Sequence, residues 1–324
     1  MVAGLAVRDA RITYGKTVAV DHVSLTVAPG TVVALLGPSG SGKSTLLRGI
    51  AGLEPLVAGS VTWDGTDLAG VKVFKRNFGM VFQDAQLFPT MDVARNIAYG
   101  LGKLGKGAQR ARVEEMLELV GLPGYGQRRI TELSGGQAQR VALARSLAPS
   151  PRALLLDEPL SALDTGLRRR LAEDLSRILR ETHTTAVYVT HDHQEAYTIA
   201  DQVAVLTDGR LLQFAAPETL RAAPASREVA VFLGARAFVT RATAERLGWE
   251  GTLATGEVLA VLPGSLVLDE AGCEVELIDQ GYTADAVELG VALPDGQRAV
   301  VSASERVAGP RVRVRLVSGA AVPA

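Results

Sequence analysis

Apolar positions along this chain follow two periods, and the switches between them outline its elements. Val23, Leu25 and Val27 alternate with polar residues, as in a half-buried strand, and residues 5–27 read as short strands around a turn at Tyr14-Gly15-Lys16. Thr31–Leu36 is a continuous apolar run, expected of a strand covered on both faces. Glycine punctuation follows, then a helix-like segment over Ser44–Ala51. Strand patterns return at Ser60–Trp63 and Phe78–Phe82, with Asp64-Gly65 as a turn signal. Over residues 108–121 the period becomes helical. Val113, Met116, Leu117 and Val120 share one face, which predicts a core stripe, and Gly121 is a stop. Helices are expected over Gly136–Leu147 and Leu167–Arg180. Strands are expected over Ala153–Leu156, Thr185–Thr190 and Val203–Leu206, with a helix between the last two. Alternating strands and helices predict a parallel α/β sheet.

The pattern changes near residue 235. Residues 256–317 break into short β-like segments separated by Pro263-Gly264, Pro294-Asp295-Gly296 and Gly309-Pro310. Val312, Val314 and Leu316 alternate with Arg311, Arg313 and Arg315, which predicts a strand with a basic, solvated face. The expected organisation is therefore an α/β domain over 1–235 and a small all-β domain over 240–324. No internal repeat or low-complexity segment interrupts either.

Composition narrows the possible chemistry. A net charge of −1 over 324 residues excludes a strongly basic nucleic-acid or membrane-surface protein, though not a local basic patch. One cysteine, Cys273, excludes an intramolecular disulfide and a multi-cysteine metal site. The longest uncharged run, between Asp21 and Lys43, holds Pro29, Pro38 and several glycines, so no membrane-spanning helix is expected. The first residues lack the basic-then-apolar pattern of a secretory leader, so a soluble chain is expected. There are 34 glycines, above the usual ~7%. Such an excess means either linkers or loops that let backbone approach a ligand, and placement decides between them.

Five of these glycines fall in two motifs. Gly37-Pro38-Ser39-Gly40-Ser41-Gly42-Lys43-Ser44, followed by Thr45, matches G-x-x-x-x-G-K-[ST] between a predicted strand and a predicted helix. Its backbone N–H groups and the helix N-terminus suit phosphate oxygens. Lys43 is placed to reach the β/γ-phosphates and Ser44 to ligate Mg²⁺. Downstream, Leu154-Leu155-Leu156-Asp157-Glu158 is an apolar strand ending in two acids. Alone, such a pair reads as a solvated strand end. Beside a phosphate loop, Asp157 suits Mg²⁺ and Glu158 suits a general base for attacking water. The second glycine motif, Leu133-Ser134-Gly135-Gly136-Gln137, could by itself be no more than a helix cap.

In this order, the motifs resemble those of the ATP-binding cassette (ABC) ATPases, over about residues 1–235. Ser134-Gly135-Gly136-Gln137 is similar to the family's signature, Gln83 to its Q-loop glutamine, and Ser161-Ala162-Leu163-Asp164 to its D-loop. His191 is similar to the switch histidine and Tyr14 to the aromatic that stacks on adenine. The resemblance implies a P-loop NTPase fold with a helical subdomain at about 85–150, and two ATP molecules with Mg²⁺ sandwiched in a head-to-tail dimer. Ser134 and the amides of Gly135 and Gly136 would close the partner's γ-phosphate site. Gln83 would bond Mg²⁺ or the water, His191 would hold the γ-phosphate and Glu158, and Asp164 would link the two sites. Ala138 departs from the glutamine common at that position, on a permissive helix site.

The β-rich tail resembles the TOBE-type (OB-like) domain of bacterial importer ATPases. A β domain that merely stabilises a dimer is the alternative. The resemblance implies a motor subunit at the cytoplasmic face of the membrane, working with separate permease subunits and, indirectly, a substrate-binding protein. The segment Asp84–Tyr99 resembles the permease-docking surface. Within the importers the likeness is to the iron(III), thiamine and polyamine branch, with iron(III) first. A soluble ABC ATPase acting on nucleic acid or the translation machinery is the alternative, which the net charge does not encourage.

Overall fold

The computed structural model describes residues 4–161, 163–283 and 286–324, and Ala162 of the expected D-loop lies outside them. The chain divides into two compact units, one ending at Pro217 and the other starting at Glu218.

The first unit is built on two sheets. β1 (Leu5–Tyr14) and β2 (Thr17–Val27) form an antiparallel hairpin around the expected turn. β4 (Ala58–Trp63) and the short β5 (Thr66–Asp67) complete a sheet of order β2-β1-β4-β5. The second sheet has the order β10-β9-β3-β8-β7-β6. It comprises β3 (Val32–Leu36), β6 (Phe78–Val81), β7 (Ala153–Asp157), β8 (Ala186–Thr190), β9 (Gln202–Thr207) and β10 (Arg210–Ala215). Its pairs are parallel except β9–β10, an antiparallel edge that the alternation of strand and helix did not announce. Every residue of β3, β7 and β8 is buried, as continuous apolar runs require of central strands. α1 (Lys43–Ala51) packs Leu46, Leu47 and Ile50 into a core shared with Leu35, Leu155 and Val187.

Five further helices belong to this unit. α2 (Val93–Ala98), α3 (Lys106–Leu119) and α4 (Gly135–Leu147) form the helical part. The stripe Val113, Met116, Leu117 and Val120 is buried, as its spacing predicted. α5 (Thr165–Glu181) buries Leu171, Leu175, Ile178 and Leu179, and α6 (His193–Ile199) follows β8. Side chains cap these helices: Asp92, Ser134, Asp164 and Asp192 each accept a first-turn N–H of α2, α4, α5 and α6.

The second unit takes in α7 (Pro217–Ala222) from its second residue and α8 (Arg227–Phe232), upstream of the change in pattern near 235. Beyond them, β11 (Ala237–Val239), α9 (Arg241–Arg246) and β12 (Glu257–Val261) lead into the β-rich tail. β11 and β12 join β17 (Ala320–Pro323). A second sheet of order β15-β14-β13-β16 holds β13 (Leu266–Tyr282), β14 (Val287–Ala292), β15 (Arg298–Ala303) and β16 (Arg311–Leu316). All pairs are antiparallel, giving an OB-like unit around Leu259, Leu289, Val301 and Val314. β16 alternates as predicted. Its arginines are also paired across the strand: Arg311 Nη1 donates to Glu274 (2.8 Å), and Arg315 Nε lies 2.7 Å from Asp269.

Candidate functional site

The site forms where β3, β7 and β8 end side by side. In a parallel sheet the carboxyl ends open onto connecting loops, the usual place for a ligand. The loop after β3 is 37–42, and it turns into α1 through Gly42. Gly42 has φ +89°, and a Cβ there would lie 2.2 Å from the Ala19 carbonyl oxygen, so no other residue fits. α1 has no side-chain cap and no acid in its first turn, which leaves its first N–H groups free for an anion. Pro38, Ser39 and Gly40 are exposed at the loop's crest, and Ser41 is buried beneath it.

Lys43 opens α1 and is buried. Its Nζ donates to the carbonyls of Gly37 (2.8 Å) and Pro38 (2.7 Å) and lies 3.4 Å from Ser41 Oγ. Burial pushes its ammonium below the ordinary lysine value of 10.5, with the charges of Glu158 and Asp157 opposing that shift. The next residue, Ser44, donates from Oγ to Asp157 Oδ1 at 2.6 Å, and Thr45 follows it on α1. Asp157 ends β7 and is almost fully buried. Its other oxygen lies 3.6 Å from Arg48 Nη2. A hydroxyl and a carboxylate converging this closely form a hard-oxygen pair that fits Mg²⁺.

Glu158 takes the left-handed conformation, φ +45°, at a cost of about 1–3 kcal/mol. Its N–H donates to the Val189 carbonyl, which ties the turn to β8. His191 follows β8, and its Nδ1 is 3.3 Å from Glu158 Oε2. The two residues are 33 apart in sequence yet meet because β7 and β8 are neighbours in parallel register. Tyr14 is half exposed at the end of β1.

The remaining predicted residues lie elsewhere on the first unit. Gln83 is exposed just beyond β6, and its carbonyl accepts from Gln139 Nε2 at 2.6 Å. Arg145, from the same helix as Gln139, donates to the carbonyls of Gln86 (2.8 Å) and Ala85 (3.0 Å). α4 therefore carries Ser134–Gln137 at its N-terminal end and grips residues 83–86 along its side. Ser134 and Gln137 form a reciprocal capping box, so the hydrogen bonds of Ser134 stay inside its own cap. Gly135 is exposed. Gly136 is buried, and a Cβ on it would meet Leu167 Cδ2 at 3.1 Å, so packing against α5 is reason enough for that glycine. Asp164 caps α5 by accepting from the Leu167 N–H at 3.0 Å. Arg48, Gln139, Arg145, Arg168 and Glu195 were not anticipated. The signal that could have found Glu195 is a lone acid one helical turn past His191.

A phosphate-binding loop between the central strand and its helix, on a sheet of this order, defines a P-loop nucleoside-triphosphatase domain. Residues 20–161 match the model of the family described as ABC transporter. The chain is 52% identical over 232 residues to the Fe(3+) ions import ATP-binding protein FbpC of Streptomyces coelicolor, covering 71% of this chain and 67% of the relative. It is 43% identical over 315 residues to the sulfate/thiosulfate import ATP-binding protein CysA of Caulobacter vibrioides, with 93% of each covered. It is also 48% identical over 230 residues to the spermidine/putrescine import ATP-binding protein PotA of Mesorhizobium japonicum, covering 70% and 63%. The chain belongs to the ABC transporter family as an importer-type, ATP-binding subunit, and it is an ATPase.

Proposed function

We propose that this chain is the motor subunit of a bacterial importer, coupling ATP hydrolysis in a head-to-tail dimer to solute uptake through separate permease subunits. The observation that carries this reading is the meeting of Lys43, Ser44, Asp157, Glu158 and His191 at the ends of three adjacent parallel strands.

Lys43 and the free amides of α1 hold the β- and γ-phosphates, and Tyr14 stacks on adenine. Ser44 and Asp157, joined by Gln83, would hold Mg²⁺, which supplies charge neutralisation at the phosphates. Glu158 accepts the proton of the attacking water. The water oxygen bonds to the γ-phosphorus as the bond to the ADP oxygen breaks, releasing ADP and phosphate. His191 holds the Glu158 carboxylate and donates to the γ-phosphate. Ser134 with the Gly135 and Gly136 amides closes the γ-phosphate site of a second copy, and Asp164 connects the two sites.

The permease side of the reading rests on residues 84–99. Phe88 and Tyr99 stack with ring centroids 4.4 Å apart, and Tyr99 is 63% exposed. Asn96 pins the Phe88 backbone in both directions, which fixes an apolar surface for a partner. Among the described residues no helix is long and apolar enough to cross a membrane. In this reading the chain attaches at the cytoplasmic face through the permease. Loaded substrate reaches that permease from an extracytoplasmic binding protein. Iron(III) is the proposed cargo, after the name of the Streptomyces coelicolor relative, with a polyamine or thiamine next.

Glu158→Gln tests the engine. ATP binding should persist while hydrolysis falls at least about 100-fold, and unchanged turnover would refute the role. A strain lacking this chain tests the cargo. Uptake of labelled iron(III) should fall and return with wild type but not with Glu158→Gln. Lost spermidine or sulfate uptake with normal iron uptake would reassign the cargo.

A further inference from the structure

Beneath the turn that carries His191 lies a polar cluster that the hydrolysis chemistry does not use. Glu195, on α6, is 5% exposed. Its Oε2 accepts from Tyr188 Oη and from Thr190 Oγ1, both at 2.7 Å. Tyr188 is fully buried, and burial together with the Glu195 charge pushes its phenol well above the usual value, so it remains a donor. Thr190 Oγ1 also accepts from the Asp192 N–H at 2.9 Å, which closes the turn around His191.

The other oxygen of Glu195 faces Arg168, one helical turn into α5. Arg168 Nε is 3.7 Å from Glu195 Oε1, and Nη1 is 3.6 Å from Asp192 Oδ2. Nη2 donates to the Leu163 carbonyl at 2.9 Å and lies 3.4 Å from that of Ser161. Ser161 Oγ in turn donates to the Glu158 carbonyl at 2.9 Å. With the peptide bond from Thr190 to His191, these contacts close a ring: Glu158, Ser161, Arg168, Glu195, Thr190, His191 and back to Glu158. One member is not at hydrogen-bond distance. Arg168 Nε is buried with no partner, which native structures seldom tolerate. A small approach of α5 to α6 would close that gap.

We propose that Arg168 is a positioning residue that locks the turn bearing His191 to the loop leading from Glu158 to Asp164, and so holds the Glu158–His191 pair in register for hydrolysis. It touches neither nucleotide nor water. Its planar fork spans backbone carbonyls on one side and two carboxylates on the other, a reach that a lysine does not reproduce. The inference rests on the roles proposed for Glu158 and His191.

Steady-state ATP hydrolysis by the full chain tests it, with thermal unfolding as a check of folding. Arg168→Ala should lower kcat about 10- to 100-fold, the scale of a small misplacement at the reacting groups. KM for ATP should stay within about threefold. Arg168→Lys should recover part of the loss, and Glu195→Gln should lower kcat in the same sense but less. If both residues act through one ring, the double variant Arg168→Ala/Glu195→Gln should be no worse than Arg168→Ala by more than about twofold. Three outcomes overturn the inference: an unchanged kcat, a KM that worsens in step with kcat, or losses that multiply in the double variant. Should Arg168→Ala not fold, Arg168→Lys and Glu195→Gln must still lower kcat at constant KM, or the idea fails. Glu158→Gln separates the two levels. If it abolishes hydrolysis while the Arg168 variants are silent, only the positioning role is lost. If it leaves hydrolysis intact, the assignment of the site itself is wrong.

Discussion

Lys43 shows how burial tunes a single residue for anion binding. Removed from water, its ammonium is held by two carbonyls, and desolvation outweighs the attraction of Glu158 and Asp157, so its proton leaves more readily than from a free lysine. The sign follows. Bound phosphate favours the charged form, so affinity is constant below the pKa of the nucleotide-free chain and weakens above it. Nucleotide affinity should therefore fall as pH rises, with the onset below 10.5, in a fluorescence titration against pH. An onset above that value would contradict the buried environment. Lys43→Ala should bind ATP far more weakly at any pH, and wild-type affinity would remove the loop from the site. Gly136 gives a second prediction at this scale. The branched side chain of Gly136→Val would press on Leu167 and Leu171, an overpacking cost of about 1–3 kcal/mol visible as a lower unfolding temperature. These residues were legible because the types and spacing of a phosphate loop and an acidic strand end are themselves the signal. Arg168, Gln139 and Arg145 were not. Their partners include backbone carbonyls, remote in sequence for Gln139 and Arg145 and just upstream for Arg168, and a carbonyl leaves no trace in the order of side chains.

Elements were legible in proportion to how one-sided their burial is. β16 reads directly from sequence because its valines face the core and its arginines face water. α3 declares itself through the Val113–Val120 stripe. β13 was hidden. It runs 17 residues, but eight are acids, glycines or glutamine spread over both faces, and its register shifts between Leu268 and Cys273 as it pairs with β16. The expected short segments thus include one long, bent strand that serves both β14 and β16. β10 escaped because an antiparallel edge carries no crossover helix to announce it. The two faces of β16 should respond differently to truncation. Val314 is fully buried, so Val314→Ala should cost about 2 kcal/mol. Arg313 on the exposed face should lose under about 0.5 kcal/mol on truncation to alanine. Thermal or denaturant unfolding checks both, and equal effects would mean the face assignment is wrong.

At the scale of the whole molecule, the feature that supports the proposed dimer is the exposure of Ser134 and Gly135. Ser134 is exposed, its hydrogen bonds are confined to the cap of α4, and the N-terminus of that helix faces solvent as an anion-ready surface. Near-neutral net charge does not oppose the proposed dimer, since two chains of charge −1 repel little. In the proposed dimer, a nucleotide gripped by Lys43 of one copy and Ser134 of another would link dimerisation to ATP concentration by mass action. That proposal exchanges two identical surfaces about a two-fold axis, which would bury both sites at once. Three measurements follow. Glu158→Gln, unable to turn over its ATP, should elute at twice the monomer mass of 34.0 kDa when MgATP is present, and return to monomer when the nucleotide is removed. Ser134→Arg should fold normally, because the residue is exposed and faces outward. It should bind ATP with near wild-type affinity, yet neither dimerise in the Glu158→Gln background nor hydrolyse ATP above about 1% of the wild-type rate. Full hydrolysis by Ser134→Arg, or an ATP-bound Glu158→Gln chain that stays monomeric at micromolar concentration, would place the whole reaction within one copy. The exposed signature would then be surface and nothing more.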